Sequence, residues 1–115
     1  MIRFVSITRW TPETARALAE RWMTVVNGTA PKAVLDAFAK IKIITQVISP
    51  SNRFAVMVEE IEEKDMAKTL PLSLYLQDVC TQEAYAVFSM EDFLEAQEAL
   101  PIEKIPKPEP WYRTK

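Results

Sequence analysis

Ser6, Thr8 and Trp10, in the segment "FVSITRW" (4–10), share one face with Phe4 if this segment is a strand, because successive strand side chains alternate. Small hydroxyls beside a large aromatic suit a ligand pocket, which is mostly apolar with a few placed polar groups. These three residues are therefore candidate ligand-binding positions. The competing reading has Trp10 plug the end of the sheet and pack on the following helix. Trp22 falls in the stripe Leu18–Trp22–Val25 at helical spacing and reads as core. Arg3 and Arg9 lie on the opposite face, with Val5 and Ile7. They can bind an anion, or pair with carboxylates such as Glu13 or Glu59. The run Glu59, Glu60, Glu62, Glu63 and Asp65 has carboxylates enough for a cation, but reads as an acidic, solvated loop. No metal site is expected. Cys80, the single cysteine, has no histidine to activate it and reads as a small hydrophobe.

Composition narrows the chemistry further. The 115 residues include no histidine, which removes Ser-His-Asp and Cys-His nucleophiles, HExxH zinc sites and His-ligated haem. Gly28 is the only glycine, so neither a P-loop nor a GxGxxG turn can be written. No cofactor is expected. A net charge of −2 gives no basic stripe for nucleic acid. No apolar run approaches the roughly 18–20 residues that span a bilayer, and no signal peptide is legible. A cytoplasmic protein with no nucleic-acid or membrane partner is expected.

The elements that must position these residues follow from periodicity and punctuation. "MIRFVSITR" (1–9) reads as a strand. Thr11 as N-cap and Pro12 at the first helical position open a helix whose stripe is Ala15, Leu18, Trp22, Val25 and Val26. Asn27-Gly28 closes it, with the glycine where a left-handed residue is wanted. Residues 30–40 form a short helix opened by Pro31. Residues 41–49 and 53–61 form two strands joined at "PSN", a hairpin. A helical region follows at 66–79, with Asp65 as candidate cap and a kink or restart at Pro71. Residues 83–90 read as a fourth strand and 91–100 as a last helix. The tail at 101–115, rich in proline, is expected to be extended and to dock through Trp111-Tyr112 on a partner subunit or a pocket mouth. The expectation is one α+β domain over 1–100, with the ferredoxin-like order β-α-β-β-α-β and a four-stranded antiparallel sheet.

Such a sheet, covered on one side, should alternate apolar and polar. These strands do not: Ile2 and Phe4 oppose Val5 and Ile7, Phe54, Val56 and Val58 oppose Ala55 and Met57, and Tyr85 and Val87 oppose Ala84 and Ala86. Covering even ~600 Å² of the second face is worth about 15 kcal/mol in gross area terms, before the costs of association. A two-fold homodimer through that face is expected.

The element order and two-sided strands, with the opening "MIRFVSITRWTPETARALAERW", resemble the dimeric α/β-barrel superfamily, particularly its small prokaryotic members. The resemblance implies two subunits joined sheet to sheet, and a ligand between sheet and helices. It also implies a choice between a module that binds a small, partly apolar ligand or serves a structural or regulatory role, and a cofactor-independent enzyme. That enzyme would be a monooxygenase or isomerase acting on an aromatic or polyketide-like substrate. Cofactor-free monooxygenases of this superfamily hold their substrates with Asn, Trp and Tyr; Trp10, Asn52, Tyr75 and Tyr85 supply those types here. Tyr85 thereby joins Ser6, Thr8 and Trp10 as a candidate ligand contact, unless it packs against a cross-strand neighbour.

Overall fold

The computed structural model describes residues 1–100; the docking expected of the tail lies outside the described residues. It is an α+β arrangement in which four antiparallel strands, β1 (Ile2–Arg9), β2 (Ile41–Ser49), β3 (Phe54–Ile61) and β4 (Thr81–Val87), form one sheet in the order β2-β3-β1-β4. The helices are α1 (Ala15–Val26), α2 (Lys32–Ala39), α3 (Leu70–Leu76) and α4 (Met90–Glu98), with a 3₁₀ helix at Glu63–Thr69.

Local chemistry sets most boundaries. Helical winding begins at Thr11, whose carbonyl accepts the Ala15 N–H at 3.0 Å, but regular helix starts only at Ala15. Thr11 is therefore not the N-cap: its backbone N–H donates to the Thr14 hydroxyl at 3.1 Å, which makes a turn of residues 11–14. The other end of α1 is as expected. Gly28 has φ +75°, its N–H donates to the Val25 carbonyl, and the Thr29 N–H donates to the Thr24 carbonyl at 2.9 Å. These two bonds are the pair that satisfies a helix's last carbonyls around a left-handed residue.

Pro71 marks a restart and not a kink. The 3₁₀ helix runs into α3, where the missing N–H of Pro71 falls in the first turn and goes unmissed. Asp65 caps no α-helix. It lies inside the 3₁₀ helix, buried, 3.2 Å from Lys68 Nζ. The fourth strand starts and ends earlier than its apolar pattern suggests, because Ser89 caps α4 by accepting the Asp92 N–H at 3.0 Å.

The well-packed core lies among the helices. Val25 of α1, Ala30, Val34 and Ala37 of the α2 region, and Leu72, Leu76 and Val79 around α3 are buried together. Trp22 adds its edge to Phe38, ring centroids 5.6 Å apart, so its expected core role is met. The helices stand over one face of the sheet without filling the space beneath them: within the strands only Glu59 and Ile61 are buried.

On the sheet's other face the register builds apolar rows. Val47, Val56 and Ile7 form one, and Val58, Val5 and Tyr85 the next. Charged groups close the ends, with Glu60 between Arg3 (3.6 Å) and Lys42 (4.0 Å) at one and Arg9 paired to Glu83 at the other. Val47 is 59% exposed and Tyr85 54%.

A methyl group at Gly28 would meet nothing within 4 Å, so its cost is conformational alone. Gly28→Ala is expected to lower unfolding free energy by about 1 kcal/mol, the price of a left-handed alanine, as read from urea denaturation.

Candidate functional site

Between the helices and the sheet lies a cleft of about 780 Å³. Its floor is the inner face of the sheet, and alternation places every second residue of each strand there. Phe4, Ser6 and Thr8 of β1 contribute, continued by Trp10. Ala55, Met57, Glu59 and Ile61 come from β3, and Gln82 and Ala84 from β4. Leu18 and Trp22 of α1, with Leu72, Ser73 and Leu76 of α3, form the roof. The lining is mainly apolar, in the size range of small-molecule sites.

Strand β2 reaches the floor with Ile41 and, past an irregularity, with two further residues. Ile43 opposes Glu59, yet the next register pair is Thr45 with Val58, which leaves Ile44 as an extra residue. Beyond this bulge the faces exchange. Gln46, opposite Met57, and Ile48, opposite Ala55, therefore turn to the cleft. Period-two alternation read straight through β2 misassigns them, since a bulge inserts one unpaired residue.

Trp10 is held in line with β1 by its own backbone, whose N–H donates to the Arg53 carbonyl at 3.2 Å and extends the β1–β3 ladder past Arg9. Arg53 carries the hairpin turn with φ 55°. Ser6, Thr8 and Trp10 are thus brought together on one wall. Tyr85 is not among them. It lies on the opposite face beside Val5, and its hydroxyl donates to Glu83 at 2.5 Å. Tyr75 packs in the helical core, its hydroxyl 2.9 Å from that of Thr24 and its ring under the Arg21 guanidinium. Asn52 sits in the exposed hairpin turn. Cys80 is half-buried with its Sγ 3.3 Å from the Leu76 carbonyl, and burial pushes its thiol pKa up, away from thiolate chemistry.

The residue that sequence reasoning misses is Glu59. It belongs to β3, paired with Phe4 on one side and Ile43 on the other, and is 6% exposed. Its Oε1 accepts the Ser6 hydroxyl at 3.1 Å, while Oε2 is buried with no hydrogen-bond partner among the described residues. Neither Arg3 nor Arg9 reaches it, because both project from the other face to Glu60 and Glu83. The signal that separates Glu59 from the acidic run is its phase: with Ala55, Met57 and Ile61 it occupies the inward face of β3.

Burial raises the Glu59 carboxyl above the usual carboxylate range, and the Ser6 hydrogen bond offsets only part of that rise. A charge inside an apolar cleft is costly unless paired, so the site favours either the protonated acid or a positively charged neighbour.

Comparison with known proteins finds no matching family model, no matching curated protein and no matching solved structure. What the site does must be argued from its own geometry.

An acid with a raised folded-state pKa contributes stability that is complete below its unfolded value of about 4.3 and is lost as pH rises through the folded value. Glu59→Gln removes the charge and keeps the shape. Urea titrations across the acid-to-neutral range should find it more stable than the unsubstituted chain by about 1–3 kcal/mol at neutral pH. The gap should close as the medium is acidified toward the unfolded carboxylate's pKa.

Proposed function

We propose that this protein is a cytoplasmic homodimer of ferredoxin-like subunits, joined sheet to sheet as in a dimeric α/β barrel, that binds a small, partly apolar ligand between sheet and helices. The cleft beside Trp10, mainly apolar and dotted with Ser6, Thr8, Gln46 and Glu59, is the observation that carries the ligand reading. A cavity filled by the protein's own side chains would have favoured a purely structural role; among the described residues this one is open space of about 780 Å³.

The strand order β2-β3-β1-β4 and the antiparallel pairing support the ferredoxin-like assignment. Support for the dimer comes from the outer face. Val5, Ile7, Val47, Val56, Val58 and Tyr85 form a continuous apolar area, and patches of that kind on a subunit mark contact surfaces. Phe88 and helix α4 add to the surface awaiting cover, since Phe88 and the helix residues Met90, Phe93 and Leu94 are all exposed.

The second reading, a cofactor-independent monooxygenase or isomerase acting on an aromatic or polyketide-like substrate, draws on one observation. A carboxyl whose pKa is raised by burial in an apolar cleft is a better proton acceptor than an ordinary carboxylate.

Sedimentation should give twice the 13.2 kDa mass of the chain, and Val56→Lys should shift it toward the single-chain value. A monomer throughout the micromolar range overturns the dimer. A metabolite library screened by thermal shift should yield compounds that raise Tm for the unsubstituted chain and fail to do so for Trp10→Ala. A library with no such compound overturns the ligand reading, and chemical conversion of a hit moves the assignment to the enzyme.

A further inference from the structure

The cleft carries a charge asymmetry that nothing in the overall composition requires. Fourteen Lys and Arg residues nearly balance sixteen Asp and Glu in the chain. Among the described residues no Lys or Arg lines the cleft, and the charged groups that do are Glu59 and Glu83. Glu83 is committed at the rim, where Arg9 pairs with it and Tyr85 donates to it. That leaves one carboxyl, deep on the floor, answered among the described residues only by a serine hydroxyl on one oxygen and by nothing on the other.

We infer that the cleft is a site for a protonated amine on an apolar body, with Glu59 as its counter-ion. This rests on the ligand reading above and names the chemical class of the ligand. A positive charge brought to the floor neutralises the carboxylate where no Lys or Arg of the described residues does, and a charge-assisted hydrogen bond in such surroundings is stronger than a neutral one. Ser6 holds Glu59 Oε1 in place, which fixes the carboxyl before the ligand arrives. The aromatic rings of Phe4, Trp10 and Trp22 in the same lining suit both parts of such a molecule. Their faces attract a cation and their bulk covers an apolar body. An anionic ligand finds no Lys or Arg of the described residues there and meets a carboxylate instead. The outer-face arginines do not alter this, because Arg3 and Arg9 already pair with Glu60 and Glu83.

Three probes with the same phenyl body and different heads test the assignment on the full chain: 2-phenylethylamine, 2-phenylethanol and phenylacetate. Titrations followed by the Trp10 indole N–H resonance at neutral pH should give the amine about tenfold tighter binding than the alcohol, with the carboxylate weakest. Glu59→Gln should bring the amine to the alcohol's affinity and leave the alcohol unchanged. Equal binding of amine and alcohol to the unsubstituted chain, or strongest binding of phenylacetate, overturns the charge assignment while the cleft stands. An amine preference that survives Glu59→Gln also overturns it. No binding by any of the three overturns both the charge assignment and the cleft itself. Because the head-group comparison is made on the unsubstituted protein, it decides the matter even if Glu59→Gln fails to fold.

Discussion

One set of helices cannot cover a sheet whose two faces are both apolar. That imbalance organises the rest of the molecule. The helices spend much of their apolar surface on one another, with Val25, Val34, Ala37, Leu72 and Leu76 at the centre. What remains of their inner surface, Leu18 and Trp22 of α1 and Ser73 of α3, faces the sheet across open space. The two consequences are complementary. The inner face becomes the floor of a cleft, and the outer face, framed by ion pairs at both ends, becomes a surface suited to contact. Hydrophobic burial, the main favourable term in folding, is thus left incomplete on both sides of one sheet.

Glu59 acquires its importance from this arrangement. Had the helices packed directly onto β1 and β3, a carboxyl at that position would have been enclosed and intolerable. Had the inner face been fully wet, it would have been an ordinary exposed acid. On the floor of an apolar cleft it is buried yet borders open space, and burial shifts its protonation toward the neutral form. Position along the strand alone does not set this environment. Glu60, one residue along the same strand, points the other way and shares Arg3 and Lys42.

Much of the fold was legible because the signals were short-range. Gly28 could be placed at the end of α1 from its identity and position, and Pro71 at a kink or a restart from its missing N–H. Ser6, Thr8 and Trp10 could be put on one face from alternation alone, and the structure adds that this face borders a cleft. What stayed hidden depended on partners distant in sequence. The bulge at Ile44 is set by how β2 registers on β3, so the inward turn of Gln46 and Ile48 has no local signature. Arg9 pairs with Glu83 and not with Glu13 or Glu59, which only the β1–β4 register decides. Tyr85 was drawn to the candidate site by residue type, whereas its strand phase assigns it to the outer face. Glu59 was masked by the acidic residues that follow it, although its phase within β3 set it apart.

The bulge in β2 also constrains how this sequence can change. Because β2 lies at the sheet's edge, its pairing to β3 is its only hydrogen-bonded restraint within the sheet. Removing Ile44 would restore a regular ladder and leave every later pair as it is, with Gln46 still opposite Met57 and Ile48 still opposite Ala55. Keeping Ile44 in a regular ladder would instead slip the register by one residue and carry Gln46 and Ile48 to the outer face. A deletion at the bulge thus leaves the cleft wall intact, whereas the same deletion further along β2 would turn over every residue that follows it.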